Sequence, residues 1–215
     1  MTFIAPSILA SDFGYLGKSV REIYAWGGDM AHCDVMDGRY VNNITFGMET
    51  VAALHRYEPK LPLNVHLMIV SPEDYVEGFI KAGAADILFH SEVCSDTVKT
   101  LNQIKDAGLR AGLVLNPGQR IDSVLPYLEL TDIIMFMGVK PGFGGQKIHL
   151  EVLPEITKLK NIITERKLNI LLEFDGGITE DNVELVKKAG VDIVVAGSAV
   201  FKSADPKATI ERLRG

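Results

Sequence analysis

The sequence predicts a (β/α)8 barrel, the TIM-barrel fold, from two observations. Eight short apolar runs rich in Val, Ile and Leu alternate with amphipathic stretches along the 215 residues. Runs that are apolar at nearly every position are typical of strands buried on both faces, as in a parallel sheet covered by helices. Eight βα units of this size fit one compact barrel, so we expect a single domain over residues 1–215. An open, doubly wound sheet is the competing arrangement.

The predicted strands recur along the whole chain. They are Phe3–Leu9, Met30–Met36, Leu63–Met68, Asp86–His90, Arg110–Leu115, Asp132–Val139, Asn169–Asp175 and Asp192–Gly197. Two helices between them are well marked, one over Pro72–Ala82 with Ser71 as its N-cap and one over Thr179–Ala189. Each is followed by a glycine, Gly83 and Gly190, which is the residue that a helix-to-strand connection favours.

Composition excludes several classes of partner. The formal net charge is −6, and no run of Lys or Arg could follow a phosphate backbone, so we expect no nucleic acid partner. No apolar stretch is long enough to span a bilayer, and Met1–Pro6 does not begin a secretory leader. We therefore expect a cytoplasmic protein that does not bind membranes. With two cysteines in the chain, a disulfide framework is not expected, and Cys33 should pack against the helices.

Polar side chains follow several of the predicted strands at the end where barrel enzymes place their working residues. Because side chains alternate along a strand, His32 and Asp34 point the same way, and His66 and Asp175 end two further strands. Burying such groups without partners would cost about 1–3 kcal/mol each. A divalent cation would remove this cost, whereas hydrogen-bonded core histidines are the alternative. Imidazole with carboxylate suits Zn, Fe(II), Mn or Co. Other polar residues at strand ends are Ser7, His90, Glu92, Asn116, Lys140 and Ser198.

Three methionines fall on inward-facing positions at the tops of strands two, three and six. Met36, Met68 and Met137 could form an apolar cap that keeps water away from a reactive enediolate. For any one of them taken alone, filling the core is the more common role, because a thioether fits irregular gaps.

Glycine-rich loops follow the last three strands. Gly142, Gly144 and Gly145 lie close together after strand six, Gly176–Gly177 follows strand seven, and Gly197 precedes Ser198 after strand eight. Such loops bring backbone N–H groups close to an anion, and these barrels commonly bind phosphate there. We therefore expect a phosphorylated substrate held by backbone amides rather than by a basic cluster.

The same residues make the chain resemble the ribulose-phosphate 3-epimerase family over essentially its whole length. The matching strings are Ser7-Ile8-Leu9, His32-Cys33-Asp34-Val35-Met36-Asp37-Gly38, Val65-His66-Leu67-Met68, Pro141-Gly142-Phe143-Gly144-Gly145-Gln146, Asp175-Gly176-Gly177-Ile178 and Val195-Ala196-Gly197-Ser198-Ala199-Val200-Phe201. They occur in the family's order. The resemblance is therefore highly specific.

The resemblance implies a metal-dependent epimerase that inverts C3 of a ketose phosphate and interconverts D-ribulose 5-phosphate and D-xylulose 5-phosphate. Asp34 and Asp175 would exchange the proton on opposite faces of a planar enediolate. Together with His32 and His66, they would hold the divalent metal. The implied substrate-binding residues are Ser7, His66, Gly142, Phe143, Gly144, Gly145, Asp175, Gly176, Gly177, Gly197 and Ser198.

Some positions depart from the family pattern. Asn42 stands where Pro is usual, and Asn64 where Asp is usual. Gly138 replaces a usual Thr, and Phe174 a usual Val. None of these four is an implied metal ligand or proton carrier. Asn42 and Gly138 leave the choice of ketose phosphate and the mobility of the loops open.

Two other functions stay open at this point. Lys140 could form a Schiff base with a keto substrate, as in aldolases, unless it is a solvated loop residue. A non-catalytic sugar-phosphate-binding module would keep the glycine loops but would not need the metal ligands. An orotidine-phosphate decarboxylase is not indicated, because residues 34–37 read Asp-Val-Met-Asp without the lysine of that family. We also expect a homo-oligomer.

Overall fold

A computed structural model describes residues 2–215. Its strands are β1 (Phe3–Pro6), β2 (Ala31–Met36), β3 (Leu63–Met68), β4 (Asp86–Phe89), β5 (Arg110–Leu115), β6 (Ile133–Met137), β7 (Leu171–Asp175) and β8 (Ile193–Ala196). They form one parallel sheet in the order β1-β8-β7-β6-β5-β4-β3-β2. A parallel bridge between Ser7 and His32 joins its two outer edges, so the sheet closes into a barrel. The predicted (β/α)8 barrel is confirmed, and the doubly wound alternative is excluded.

Six predicted strands are longer than the observed ones, whereas β3 and β5 have the predicted bounds. The largest difference is in β1, which ends at Pro6 instead of Leu9. Ser7 begins a 3-10 turn there, because its side-chain oxygen accepts a hydrogen bond from the Leu9 amide at 3.3 Å. The turn aims the Ser7 side chain at the end of β2.

The helices are α1 (Leu16–Ala25), α2 (Met48–Tyr57), α3 (Val76–Lys81), α4 (Thr97–Asp106), α5 (Leu153–Glu165), α6 (Val183–Lys188), α7 (Ser198–Phe201) and α8 (Pro206–Arg214). The connection from β5 to β6 contains the 3-10 segments Ile121–Ser123 and Leu125–Leu130 instead of an α-helix. Pro126 lies in the first turn of the second segment and has no N–H to donate. One of the seven strand-to-strand connections therefore lacks the α-helix that the alternating pattern predicts.

The predicted helix over 72–82 is split into a 3-10 turn over Pro72–Asp74 and α3. Ser71 makes no side-chain cap, so that prediction is wrong. Its backbone is left-handed, with φ 50°, and its N–H donates to the Val93 carbonyl at 3.1 Å. The predicted glycine ends are confirmed, because Gly83 and Gly190 have φ of 88° and 109°.

Two apolar layers hold the barrel together. The larger one lies between the strands and the helices and includes Cys33, which confirms that this thiol faces the helical layer. The smaller one fills the barrel interior with side chains such as Leu88, Met135 and Ile193. Because apolar burial is the main stabilising contribution, these layers fix the strand ends on which the polar residues lie.

Candidate active site

Four side chains converge at the carboxyl ends of three strands. β2 carries His32 and Asp34, β3 carries His66, and Asp175 is the last residue of β7. Asp34 and His66 are register partners on neighbouring strands. Each of the four offers one potential ligand atom, and these atoms all lie within 4.8 Å of one another. His32, Asp34 and His66 are buried, while Asp175 is partly open to solvent.

Two buried nitrogen atoms of this cluster, His32 Nε2 and His66 Nδ1, have no hydrogen-bond partner among residues 2–215. Both face Oδ1 of Asp34, at 3.3 and 3.5 Å. His32 Nε2 also lies 3.9 Å from Oδ2 of Asp175. Buried polar atoms are rarely left without partners, and imidazole with carboxylate is a common donor set for divalent transition metals. These side chains fit a metal ion and could hold one.

The two carboxyl groups of the cluster differ in charge. Burial alone would raise the pKa of Asp34, but His32 and His66 outweigh burial and hold it well below its usual range. Burial, together with repulsion by Asp34, raises the pKa of Asp175 to about 7. Near neutral pH one carboxyl is therefore ionised and the other can carry a proton. Such a difference is what an acid/base pair requires.

The two imidazoles of the cluster also differ in their pKa values. Burial lowers the pKa of His66 to about 3, so this ring is neutral, the state in which imidazole binds metals. Burial would also lower the pKa of His32, but Asp34, Glu173 and Asp175 raise it well above its usual value. A proton on His32 thus balances the carboxylates, and a metal ion would displace it.

Asn64, one of the departures from the family pattern, orients His32. Its Oδ1 lies 2.6 Å from Nδ1 of His32. Its Nδ2 donates to Asp86 Oδ2 at 3.1 Å and to Glu173 Oε2 at 3.2 Å. These two carboxylates fix the amide with its oxygen towards the imidazole. The hydrogen of Nδ1 is then held by Asn64, and Nε2 of His32 is aimed at the cluster.

A cavity of about 510 Å³ opens above the cluster at the carboxyl ends of the strands. Ser7, Asp34 and Asp175 line it directly, whereas His32 and His66 lie beneath its wall. The other predicted residues that line it are Met36, Met68, Met137, Gly142, Phe143, Gly144, Gly145, Gly177, Gly197 and Ser198. Gly176 is not part of the lining. The cavity can therefore admit a small molecule to both carboxyl groups at once.

Similarity to known proteins identifies the family of this chain. The family model described as the ribulose-phosphate 3 epimerase family matches residues 3–201. The chain belongs to the ribulose-phosphate 3-epimerase family. It is 42% identical over 216 residues to the ribulose-phosphate 3-epimerase of Bacillus subtilis (strain 168), covering 100% of this chain and 99% of that protein. Identity to the ribulose-phosphate 3-epimerase of Synechocystis sp. is 45% over 213 residues, covering 98% and 92%. The protein is thus an epimerase that acts on a phosphorylated sugar.

Solved structures of other proteins share the fold of this epimerase. KGPDC from Streptococcus mutans matches with a TM-score of 0.71 at 12% identity, covering 100% of this chain and 96% of that chain. At that identity the likeness shows the fold alone. Within residues 2–215, no helix combines the length and apolarity required to cross a bilayer. The cytoplasmic location, the homo-oligomer and the extent of the domain stay predictions.

The methionines of the epimerase belong to two separate clusters, although all three line the cavity. Met36 and Met68 pack with Val41 at the mouth. Met137 packs into the barrel interior. An apolar roof over the cavity is therefore formed by the first two, and Met137 contributes to the wall.

Several residues that the sequence reasoning missed belong to the mouth of the epimerase. Gln146 donates from Nε2 to the carbonyl oxygens of Lys140 and Phe143, both at 2.7 Å, and so braces the glycine loop from within. Asn43 donates to the Gly142 carbonyl at 2.8 Å and ties the loop after β2 to it. Exposed Lys140 and Lys202 also line the cavity. Lys140 was already noted in the sequence as the Schiff-base candidate at the end of strand six; for Lys202, a lysine that follows the glycine turn after strand eight was the available signal.

Two departures from the family pattern form one structural change. A Cβ atom at Gly138 would lie 2.4 Å from two ring atoms of Phe174. The Phe174 ring, which packs in the layer between strands and helices, therefore occupies the space of a larger residue at position 138. A Cβ atom there would also lie 2.7 Å from the Gly176 carbonyl oxygen, so both the Phe174 ring and the backbone of the next strand's loop leave room only for glycine at position 138.

Proposed function

We propose that this epimerase inverts C3 of a ketose phosphate and interconverts D-ribulose 5-phosphate and D-xylulose 5-phosphate. The observation that carries the proposal is the pair of carboxyl groups of Asp34 and Asp175, which line one cavity. The pKa of Asp34 is held well below its usual range and that of Asp175 is raised to about 7, so near neutral pH the first is ionised and the second can carry a proton. Inversion beside a ketone requires that one group removes the proton and another returns it from the opposite face. The names of the relatives support a ribulose phosphate as the substrate.

In this proposal the ionised Asp34 removes the C3 proton from one epimer, and the protonated Asp175 donates its proton to the opposite face of the planar enediolate. The reverse reaction exchanges the two roles. Ser7 Oγ donates to Asp34 Oδ2 at 2.7 Å, so the carboxylate is held in one orientation while it takes up the proton. A buried side chain that is fixed by a hydrogen bond keeps its reacting atom in place. Such orientation of the reacting groups is a large part of enzymatic rate enhancement.

We assign the metal site to His32, Asp34, His66 and Asp175. A divalent ion held there, whether Zn, Fe(II), Mn or Co, would stabilise the negative charge that develops on the substrate oxygens. Met36 and Met68 would keep water from the enediolate, because they cover the cavity with apolar surface.

The phosphate would be bound at the glycine loops. The proposed contacts are the backbone amides of Gly142, Phe143, Gly144, Gly145, Gly177, Gly197 and Ser198, with Ser7 on the sugar side. Contacts from Gly176 and His66, which do not line the cavity, stay predictions. Backbone N–H groups and helix starts bind dianions without a basic side chain. Lys140 and Lys202 add positive charge at the rim of the cavity.

Coupled assays on the purified protein test this function. We expect faster turnover of D-ribulose 5-phosphate than of D-allulose 6-phosphate, loss of activity on exhaustive chelation, and recovery with one of the four ions. A preference for D-allulose 6-phosphate would overturn the substrate assignment. Full activity after the metal is shown to be gone by elemental analysis would overturn the metal assignment.

Borohydride treatment in the presence of substrate tests the aldolase alternative. Lys140 is exposed and lacks the apolar surroundings that activate a Schiff-base lysine, so we expect no covalent label. A label on Lys140 would contradict the proposed chemistry.

A further inference from the structure

The nitrogen of His66 that faces away from the metal cluster is in contact with a second buried histidine. Nε2 of His66 lies 2.9 Å from Nε2 of His90, which directly follows β4. Both side chains are fully buried. Two ring nitrogens at this distance require that one donates a hydrogen and the other accepts it. The direction of this hydrogen bond decides which nitrogen of His66 has a free lone pair.

The other side of His90 faces a carboxylate. Its Nδ1 lies 3.5 Å from Oε1 of Glu92. The same oxygen accepts hydrogen bonds from the Tyr40 hydroxyl at 2.9 Å and from Asn116 Nδ2 at 2.7 Å. The Tyr40 ring also packs on the His90 ring, with centroids 4.7 Å apart. Residues from the loops after β2 and β5 thus hold Glu92 beside His90.

Two arrangements of the hydrogens are possible along this chain of contacts, and only one of them leaves a lone pair on Nδ1 of His66 for a metal ion. Glu92 is acceptor-only when ionised, and although burial opposes ionisation, its contacts with His90 and Tyr40 hold its pKa at about 2. His90 must therefore present its hydrogen on Nδ1. With that hydrogen on Nδ1, Nε2 of a neutral His90 ring is the acceptor in its 2.9 Å contact with His66. His66 then donates from Nε2, and its Nδ1 keeps a lone pair.

The opposite arrangement would put lone pairs against each other. If His90 donated to His66, then His90 Nδ1 and the Glu92 carboxylate would face one another as two acceptors. The hydrogen of His66 would then lie on Nδ1 and point at Oδ1 of Asp34, 3.5 Å away, where the metal ion would have to enter. A nitrogen that carries a hydrogen cannot bind a metal.

We propose that Glu92 acts through His90 to set the tautomer of His66, so that Nδ1 is ready to bind the metal. Glu92 and His90 are positioning residues, because neither contacts the proposed substrate atoms. The inference rests on the proposed metal site. It also makes the two histidine ligands alike, since each has its outer nitrogen committed to a fixed partner, Asn64 for His32 and His90 for His66.

The test compares Glu92→Gln with Glu151→Gln. Glu151 makes a similar contact with a histidine, His149, at 2.6 Å, but this pair is exposed and lies outside the cluster. We expect Glu92→Gln to weaken zinc binding by about 10- to 100-fold in a chelator competition, as is usual when a partner of a metal-binding histidine is lost. Glu151→Gln should bind zinc like the original protein. Equal zinc affinity in all three proteins would overturn the proposal.

A second measurement reads the tautomer directly. In 15N–1H spectra of the chelator-treated protein, the hydrogen of His66 should lie on Nε2, and Glu92→Gln should move part of the population to Nδ1. An unchanged His66 tautomer in Glu92→Gln would overturn the proposal. If Glu92→Gln does not fold, Tyr40→Phe removes one donor to Glu92 and should weaken zinc binding in the same direction; unchanged affinity in Tyr40→Phe would then count against the proposal.

Neither measurement depends on turnover. Failure of the original protein to bind zinc, or any of the other three ions, would overturn the metal site itself. Normal binding that is indifferent to Glu92 would overturn the tautomer inference alone. The two failures are therefore distinguishable.

Discussion

Ser7 donates its hydroxyl hydrogen to Oδ2 of Asp34 at 2.7 Å, while Oδ1 of the same carboxylate faces His32 and His66. The two oxygens of Asp34 thus have separate surroundings, one towards the hydroxyl and one towards the imidazoles. This division follows from the 3-10 turn at Ser7, which ends β1 three residues before the predicted end and aims the hydroxyl across at β2. The Ser7 hydroxyl is therefore available both to orient Asp34 and to line the cavity.

Replacing Ser7 by Ala should lower kcat/KM by at least ~10-fold, because a hydrogen bond to a charged group contributes about 1.5–3 kcal/mol. Steady-state kinetics with D-ribulose 5-phosphate measure the loss. Ser11→Ala is the matched control, since Ser11 lies in the same turn and donates only to the Ile8 carbonyl, at 2.8 Å. Equal activity of the two variants would show that the Ser7 hydroxyl does not act on Asp34.

Asp175→Asn should reduce net epimerisation by at least ~10²-fold, the usual contribution of a positioned acid or base. Asp34 would remain able to exchange the C3 proton of one epimer with solvent. In D2O we expect this variant to incorporate deuterium at C3 of one epimer faster than it forms product. Asp34→Asn should do so only with the other epimer.

Metal content must be measured for both of these variants, because each also removes a proposed ligand. If both variants exchange the same epimer, one shared base must carry the proton. If neither variant loses epimerisation, some other group must do so. Either result would refute the assignment of Asp34 and Asp175.

Gly145→Val should raise KM for the phosphorylated ketose, because the proposed phosphate contact at this position is a backbone amide. Gly145 has φ 74°, and a Cβ atom added there would have no other atom of residues 2–215 within 4 Å, apart from its chain neighbours. Gly108, at the opposite end of the barrel, has φ 81° and equally open surroundings, so Gly108→Val is the control. Both should lose about 1–3 kcal/mol of stability from the strained backbone. A KM that rises equally in both variants, or in neither, would contradict amide binding at Gly145.

Gly138→Thr and Phe174→Val should be coupled in stability. The threonine alone would overlap the Phe174 ring and should destabilise the protein by about 1–3 kcal/mol. The double variant should be more stable than the sum of the single changes predicts, by about 0.5–3 kcal/mol. Urea-induced unfolding of all four proteins measures this coupling. Strict additivity would mean that the two departures are independent.

The barrel and the convergence of the cluster were predictable because both follow from local patterns. A strand that is apolar at nearly every position must be buried on both faces, and alternation along β2 is enough to place His32 and Asp34 on one side. Helix boundaries were less predictable. In the sequence, Ser71 looks like an N-cap. In the structure its backbone is left-handed, its N–H donates to the carbonyl of Val93 from another turn, and its side chain caps no helix.

By itself, the sequence determined the parallel barrel, the end of it that carries polar residues, and the family to which the chain is similar. Only the tertiary structure decided which atoms of those residues face each other. Asn64 and His32 come from neighbouring strands, and Glu92 reaches His66 only through His90. Such contacts depend on strand register and on side-chain direction across the barrel, and hydrophobic periodicity contains neither. The contact between the Phe174 ring and Gly138 was equally unpredictable from the sequence, because close packing is a property of the folded interior and not of either residue alone.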